Sequence, residues 1–202
     1  MKRSAICVFV ALCLVSVALL SSGCSKRGKA ILVSLKNEIF RPRALDIIGS
    51  GRATNRMMFD YIRKYNTRIG SEKLMYIVDS YINESYREGV NHDIAFAQMC
   101  HETNFLKFGG DVYAVQNNFS GLETMNYDSY WACFFTIRDG IRAHVQHLKA
   151  LSSKHSLSGK CIDPRFDVVT RGSAKTVRDL NAKLMPGYGK AVELKIEALL
   201  QM

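Results

Sequence analysis

Residues 94–105 read IAFAQMCHETNF, from Ile94 to Phe105, and Glu102 is the one charged side chain among them. Asp93 precedes the run in an N-cap position, where its side chain accepts from the free amides of a first helical turn. At about 100° per residue, Ile94, Ala97, Gln98, His101 and Phe105 fall on one stripe, with Glu102 on its edge. Phe96, Met99 and Cys100 cover the other faces, and a helix apolar nearly all round belongs in a core. A carboxylate there loses hydration, so its pKa rises and it holds a proton near neutral pH. A general acid needs that property. A structural glutamate held by an arginine or by backbone amides leaves the same pattern, so the helix alone supports two readings.

Outward from this helix the chain reads as mainly α. Thr54 to Tyr65 carries Met57, Met58, Tyr61 and Ile62 at helical spacing, and Glu72 to Glu88 carries Leu74, Ile77, Val78, Tyr81 and Ile82. Gly89 stands where glycine ends a helix. Phe108 to Tyr130 is rich in Gly, Asn and Ser and reads as loop or short hairpin. Ile137 to Ser152, Thr176 to Leu184 and Lys190 to Leu200 complete the helices. No sustained strand alternation appears, so a helical bundle around one buried helix, with an irregular or β-hairpin lobe, is expected as one domain over 45–202.

The first residues carry a compartment signal. Lys2 and Arg3 precede an uncharged apolar run from Ala5 to Leu20, then Ser21, Ser22, Gly23 and Cys24. Residues 1–23 therefore read as a secretory signal. The run is short of the roughly 20 residues a spanning helix needs. Cys24 after small residues resembles a bacterial lipobox, in which the cysteine is lipidated. The match departs at Ser21, where leucine is usual. The expectation is an envelope lipoprotein that faces the periplasm and is anchored to a membrane through lipid on Cys24.

The net charge of +10 sits mostly outside the expected domain. Lys2 and Arg3 carry two units, and residues 24–43 carry five, from six basic residues against Glu38, which leaves +3 for 44–202. Residues 24–44 thus form a basic tether, suited to anionic headgroups or simply solvated. The domain lacks the basic footprint of a nucleic-acid binder, so no nucleic-acid partner is expected. With Cys7 and Cys13 in the signal and Cys24 lipidated, Cys100, Cys133 and Cys161 remain, an odd number that permits at most one internal disulfide.

Five segments, in order, carry a resemblance: AFAQMCHETNFLKFGGD (Ala95 to Asp111), QNNFSGL (Gln116 to Leu122), DGIRAHVQHLKAL (Asp139 to Leu151), DPRFDVVTRGSA (Asp163 to Ala174) and GYGKAVELKIEALL (Gly187 to Leu200). Together they resemble the glucosaminidase domains of glycoside hydrolase family 73, the mannosyl-glycoprotein endo-β-N-acetylglucosaminidase-like domains, over about residues 45–200. The resemblance implies a lysozyme-like fold and cleavage of N-acetylglucosamine linkages in peptidoglycan glycan strands, without a cofactor. It matches Glu102 to the family's general acid, so the helix pattern and the resemblance agree on mechanism. Such an acid protonates the glycosidic oxygen while positive charge grows at the sugar C1.

The resemblance also nominates substrate-binding residues. Gln98, one turn before Glu102, either steadies the carboxyl, touches the sugar or bonds backbone. Asn117 and Asn118 offer donors and acceptors for sugar hydroxyls and an N-acetyl group. Phe119 and Gly121 complete that loop, with Gly121 permitting close approach and Asn118 or Phe119 alternatively supporting it from behind. Tyr188, expected with Glu102 and Glu123 among the catalytic residues, matches a late tyrosine that faces the cleft, where its phenol orients the acetamido group or stacks on a sugar, unless it is a core tyrosine. The segment before it, Leu180 to Gly187, reads LNAKLMPG and departs from the family's usual Trp-Ala pair and Asp-Pro step. Thr103 and Asn104 likewise depart after the acid.

The second catalytic group stays open. Glu123 and Asp128 are the nearest carboxylates, and the alternative is attack by the sugar's own N-acetyl oxygen. His101, His144 and His147 lack a metal-binding spacing, and no metal is expected. Tyr127, Tyr130, Trp131, Phe134 and Phe135 form one aromatic cluster, for packing under the lobe or for stacking on sugars. Two classes of function remain: a peptidoglycan hydrolase using Glu102, and a non-catalytic lipoprotein that keeps the fold to bind glycan.

Overall fold

Helices form where apolar spacing calls for them. α1 spans Asn55–Tyr65, α2 Ser71–Glu88, α3 His92–Glu102, α4 Ile137–Ser152 and α5 Tyr188–Leu199. Short 3-10 turns cover Ala114–Gln116 and Val177–Ala182. The computed structural model describes residues 45–125, 130–182 and 185–202. The expected leader and tether, with Cys24, and also Tyr127 and Asp128 lie outside the described residues. Among the described residues the only β contacts are isolated antiparallel bridges, such as Glu123 with Trp131. The architecture is mainly α, consistent with a lysozyme-like helical domain.

α3 is the core helix. Ile94 through Cys100 are all buried, and α3 packs against α5, α2 and α4. Fully burying side chains such as Ile94, Phe96 and Met99 contributes about 1.5–3 kcal/mol each. α2 and α4 lie along each other, tied by Glu84, which accepts from Arg138 Nε at 2.6 Å and Arg142 Nε at 2.9 Å. Burial works to raise the Glu84 carboxyl, but the two guanidinium bonds outweigh it and hold its pKa below the usual value. Gly89 closes α2 in the left-handed region.

The expected boundaries shift at three places. The N-cap of α3 is Asn91, whose side chain accepts from the Asp93 amide at 3.0 Å. Asp93 lies inside the first turn, and its carboxylate takes the amides of Arg52 and Ala53 at 2.8 and 2.9 Å, fastening the segment before α1 to α3. α3 also stops at Glu102 rather than reaching Phe105, because Asn104, Phe105 and Leu106 turn left-handed at φ 47°, 58° and 60°. Thr103 holds that turn, its hydroxyl donating to Met99 O at 2.8 Å and accepting from the Leu106 amide at 2.9 Å. Finally, the segment expected as a helix from Thr176 to Leu184 is a 3-10 turn at Val177–Ala182.

The lobe after α3 is irregular. Leu122–Thr124 returns against Tyr130–Ala132 through Thr124 N–H to Tyr130 O and Ala132 N–H to Leu122 O, both 2.8 Å. Of the aromatic cluster, Trp131 and Phe134 are partly buried, while Tyr130 and Phe135 face solvent. Packing under the lobe therefore falls to Trp131 and Phe134 alone among the described members. Cys100, Cys133 and Cys161 are free thiols, and Cys100 is buried within the core.

Candidate active site

Two helix ends meet at one carboxyl. α3 carries Gln98 and Glu102 one turn apart, and the left-handed turn after Glu102 takes the chain away, which leaves that carboxyl at the end of a buried helix. α5 starts at Tyr188. Its first turn is pinned by the Gly189 amide, which donates to Asn181 Oδ1 at 2.7 Å. Gly189 also sits so close to Val177 O that a Cβ there would lie 2.3 Å from it. The departing segment before Tyr188 thus fixes where the tyrosine stands. The Tyr188 hydroxyl donates to Glu102 Oε1. His101 meets the Tyr188 ring edge-on, 5.1 Å between centroids, and braces it.

These residues line a cleft of about 500 Å³. Its lining includes Gln98, Glu102, Ser120, Gly121, Leu122, Glu123, His147, Arg165, Thr170, Ser173, Met185 and Tyr188. Solvent reaches Glu102 through the mouth of the cleft. The surrounding protein still removes enough hydration to raise the Glu102 pKa, and the Tyr188 bond, which favours the ionised form, only partly opposes that. Tyr188 is itself held protonated by burial and by the adjacent Glu102 carboxyl. The pair is therefore a carboxyl that ionises less readily than usual with an oriented neutral donor beside it. Gly121 adopts φ 62°, and a Cβ there would come within 3.8 Å of Glu102 Oε2, so the loop passes directly over the carboxyl.

The other wall is polar. Glu123 accepts from Arg165 Nη1 at 3.2 Å. Asp163, buried, accepts from the Arg165 amide at 2.8 Å and lies 3.0 Å from His147 Nδ1. Buried hydroxyls of Ser120 and Ser173 on the lining have no protein partner. The arrangement can protonate an oxygen at Glu102 and present an ion-paired carboxylate at Glu123 within one groove.

Of the residues expected at the site, the fold gathers Gln98, Glu102, Gly121, Glu123 and Tyr188 in this cleft. Asn117, Asn118 and Phe119 are not among the residues that line it, and for Asn118 and Phe119 the fold fits the expected alternative of support from behind. Asn118 is buried, with Nδ2 donating to Leu122 O at 2.8 Å and Ala132 O at 3.1 Å and Oδ1 accepting from the Leu122 amide at 3.0 Å. Its polar atoms are occupied by backbone, so it shapes the loop from behind. Asn117 Nδ2 donates to Phe134 O at 3.0 Å, and the Asn117 carbonyl presses on α4, where a Cβ on Gly140 would lie 1.7 Å away. Phe119 is buried in the core beside Tyr81 and Phe108. Asn117 and Phe119 instead border a separate groove of about 360 Å³.

Sequence reasoning missed His147 and Arg165 as cleft residues, and Asp163 as the buried carboxylate behind them. His147 enters the sequence reading only as a histidine without metal-binding spacing, and Asp163 and Arg165 only within a family segment. The one available hint was the DPR step itself, because an aspartate before proline favours a turn that projects its neighbours.

Over 153 residues the chain is 38% identical to an uncharacterized protein of Borreliella burgdorferi (strain ATCC 35210 / DSM 4680 / CIP 102532 / B31), a match spanning 75% of each chain. No solved structure matches the chain significantly. The family described as "Mannosyl-glycoprotein endo-beta-N-acetylglucosaminidase" matches residues 78–196, more than half of the chain and including Glu102, the polar wall and Tyr188, and the chain belongs to this glucosaminidase family.

Proposed function

We propose that this chain is a peptidoglycan hydrolase that cleaves the N-acetylglucosaminyl-β-1,4-N-acetylmuramic acid linkage with Glu102 as general acid. The observation that carries the reading is a carboxyl of raised pKa, bonded to Tyr188, that lines a cleft of about 500 Å³ in a chain of the glucosaminidase family. Glu102 donates its proton to the glycosidic oxygen as the C1–O bond lengthens, which neutralises the leaving group. Tyr188 remains bonded to the carboxylate that results. Glu123 supplies the second carboxylate and activates water toward C1. The Gln98 amide, the Arg165 guanidinium and the His147 ring on the same lining offer hydrogen bonds to sugar hydroxyls or the acetamido group.

Purified peptidoglycan incubated with the full chain in detergent tests this reading. Wild type releases soluble glycan fragments, and Glu102→Gln sediments with the glycan but releases none. Sedimentation with no release by either form would replace the enzyme with a glycan-binding module.

We further infer that lipid on Cys24 holds the domain at a membrane facing the periplasm, on the lipobox-like sequence at residues 21–24 and the basic tether that follows. Cys24→Ser should move the chain from the membrane to the soluble fraction. Persistence at the membrane would favour an uncleaved apolar anchor.

A further inference from the structure

One loop borders two grooves. Ser120, Gly121 and Leu122 line the catalytic cleft, whereas Asn117 and Phe119 line the second groove of about 360 Å³. Part of that second lining is apolar, from the buried Ile77, Leu106 and Phe119. The rest carries charge of one sign. Arg68, Lys73 and Lys107 line the groove and no carboxylate does. Glu72 and Asp111 neighbour these cations in sequence but are not among the lining residues. Among the described residues none of the three cations takes part in a salt bridge, whereas Arg138, Arg142, Lys149, Arg165 and Arg178 all do. The net charge over 44–202 is +3, as much as these three side chains carry, so the positive excess of the domain has its counterpart in this groove.

The groove is held in shape by bonds that its cations do not make. Arg63 donates from Nη1 to Thr67 O at 3.2 Å and Ile69 O at 2.6 Å, and from Nη2 to Ser71 Oγ at 2.7 Å, which fixes the turn that carries Arg68. Asn66, 7% exposed, donates from Nδ2 to Phe105 O at 3.0 Å and accepts at Oδ1 from the Arg68 amide at 3.1 Å. It therefore ties the Arg68 turn to the segment that carries Lys107. Local rules are set aside at both places. Lys73 stands in the first turn of α2, behind a Gly70 N-cap without a side-chain cap, where the helix dipole disfavours a cation and favours an anion. Around Lys107, Asn104, Phe105, Leu106 and Phe108 are left-handed at φ 47°, 58°, 60° and 57°, a conformation that costs non-glycine residues free energy. Strained backbone, a cation at the wrong helix end and unopposed like charges converge on one groove, and such convergence is expected where a ligand is bound. A bound anion offsets the repulsion among the three cations.

We propose that this groove binds the carboxylate-bearing peptides that branch from the glycan strand, with Arg68, Lys73 and Lys107 pairing the carboxylates and the apolar lining taking the peptide's aliphatic groups. This assignment rests on the reading of the chain as a peptidoglycan hydrolase. An N-acetylglucosamine unit has no charge to answer three cations, whereas the branch peptides end in carboxylates. A concave site with an apolar lining also suits a peptide better than a flat layer of headgroups. Because the loop 117–122 borders both grooves, a strand cut at Glu102 carries its branches near the second groove.

The test measures binding in the full chain in detergent, by ¹H–¹⁵N NMR titration, without turnover. The probe is the peptide N-acetyl-L-alanyl-γ-D-glutamyl-L-lysyl-D-alanine, beside the same peptide with its carboxyl groups converted to carboxamides. The free acid should shift the amides of Lys107, Phe108 and Asn117, and the carboxamide should not. The triple variant Arg68→Gln, Lys73→Gln, Lys107→Gln should bind the free acid about tenfold more weakly, the combined loss of exposed ion pairs, with a melting curve like that of wild type. Lys107→Gln alone should show a smaller loss, and the acid and carboxamide comparison on unaltered protein holds whether or not a variant folds. Equal binding of the two peptides, no binding of either, or shifts confined to the cleft around Glu102 would overturn the proposal. Groove shifts produced by adding phosphatidylglycerol to phosphatidylcholine bicelles, and not by the peptide, would overturn it in favour of a membrane surface. A failure of the hydrolase reading would show separately, as glycan left uncut by a wild type that binds the peptide in this groove.

Discussion

The Tyr188 hydroxyl donates to Glu102 Oε1 across the junction of α3 and α5, so the residue that steadies the acid also limits how far its pKa is raised. Removal of surrounding water raises the Glu102 pKa and the phenol bond opposes that rise. Tyr188→Phe should therefore keep the acid protonated to higher pH and move the alkaline limb of the rate profile upward. The same variant loses the oriented carboxyl, so kcat at the optimum should fall roughly tenfold, about 1.4 kcal/mol in the barrier, with KM little changed. Steady-state rates on soluble peptidoglycan fragments across pH 4–9 check both effects, and an alkaline limb that stays in place would contradict the assigned bond.

Glu102 should cost the fold stability that its chemistry requires. Its folded pKa is raised above the unfolded value, so ionisation is disfavoured in the native state, and this penalty is fully present above the folded pKa. It disappears below the unfolded carboxylate value, about 4.3. Glu102→Gln mimics the protonated form and still accepts from Tyr188. Thermal melts should show the variant more stable than wild type at pH 8 and equal to it near pH 3. Glu84 has the opposite sign, because its lowered pKa gives stability that is lost as pH falls. A Glu102→Gln variant less stable than wild type at pH 8 would contradict the raised pKa.

Glu123 lies in the same cleft and is paired with Arg165 at 3.2 Å. If it activates the water, Glu123→Gln should lower kcat by about 10²–10⁴-fold, the usual contribution of a positioned acid or base. A loss smaller than about tenfold would pass the role to the substrate's own acetamido oxygen. Rates on glycan with and without an intact N-acetyl group at the cleaved sugar separate these routes.

Asn118 makes a different prediction because its partners are backbone atoms. Asn118→Ala leaves the Leu122 amide and the Ala132 carbonyl without their partner, while the Leu122 carbonyl keeps the Ala132 amide, and should cost about 2–4 kcal/mol, the sum of a few unmade buried hydrogen bonds. Denaturant unfolding reads that loss, while KM of the folded fraction stays at wild type. A raised KM at unchanged stability would make Asn118 a glycan contact after all.

What the sequence made legible was the part of the molecule governed by local periodicity. The buried α3, its single acid, and the helices on either side follow from apolar spacing, and the ordered motifs led to the family. What it did not reveal depends on partners far along the chain. Asp93 resembles an N-cap, yet its carboxylate answers two amides some 40 residues earlier, a pairing no local pattern records. The end of α3 was placed three residues late because Phe105 continues the apolar stripe, whereas Thr103 turns the backbone left-handed immediately after Glu102. The Asn117–Asn118 pair reads as sugar-binding by residue type, but the polar atoms of Asn118 are occupied by the loop that it builds, and Asn117 borders a different groove. The cleft wall of His147 and Arg165, backed by Asp163, exists only because α4 and the segment after it fold against the lobe.

The most direct test of the central claim is the chemical identity of the new glycan ends. Peptidoglycan digested by wild-type chain, reduced with borohydride and analysed by mass spectrometry, should show N-acetylglucosamine reducing ends, and Glu102→Gln should show none. Reducing muramic acid ends, anhydro-sugar ends, or equal release by both forms would contradict a glucosaminidase that uses Glu102 as its acid.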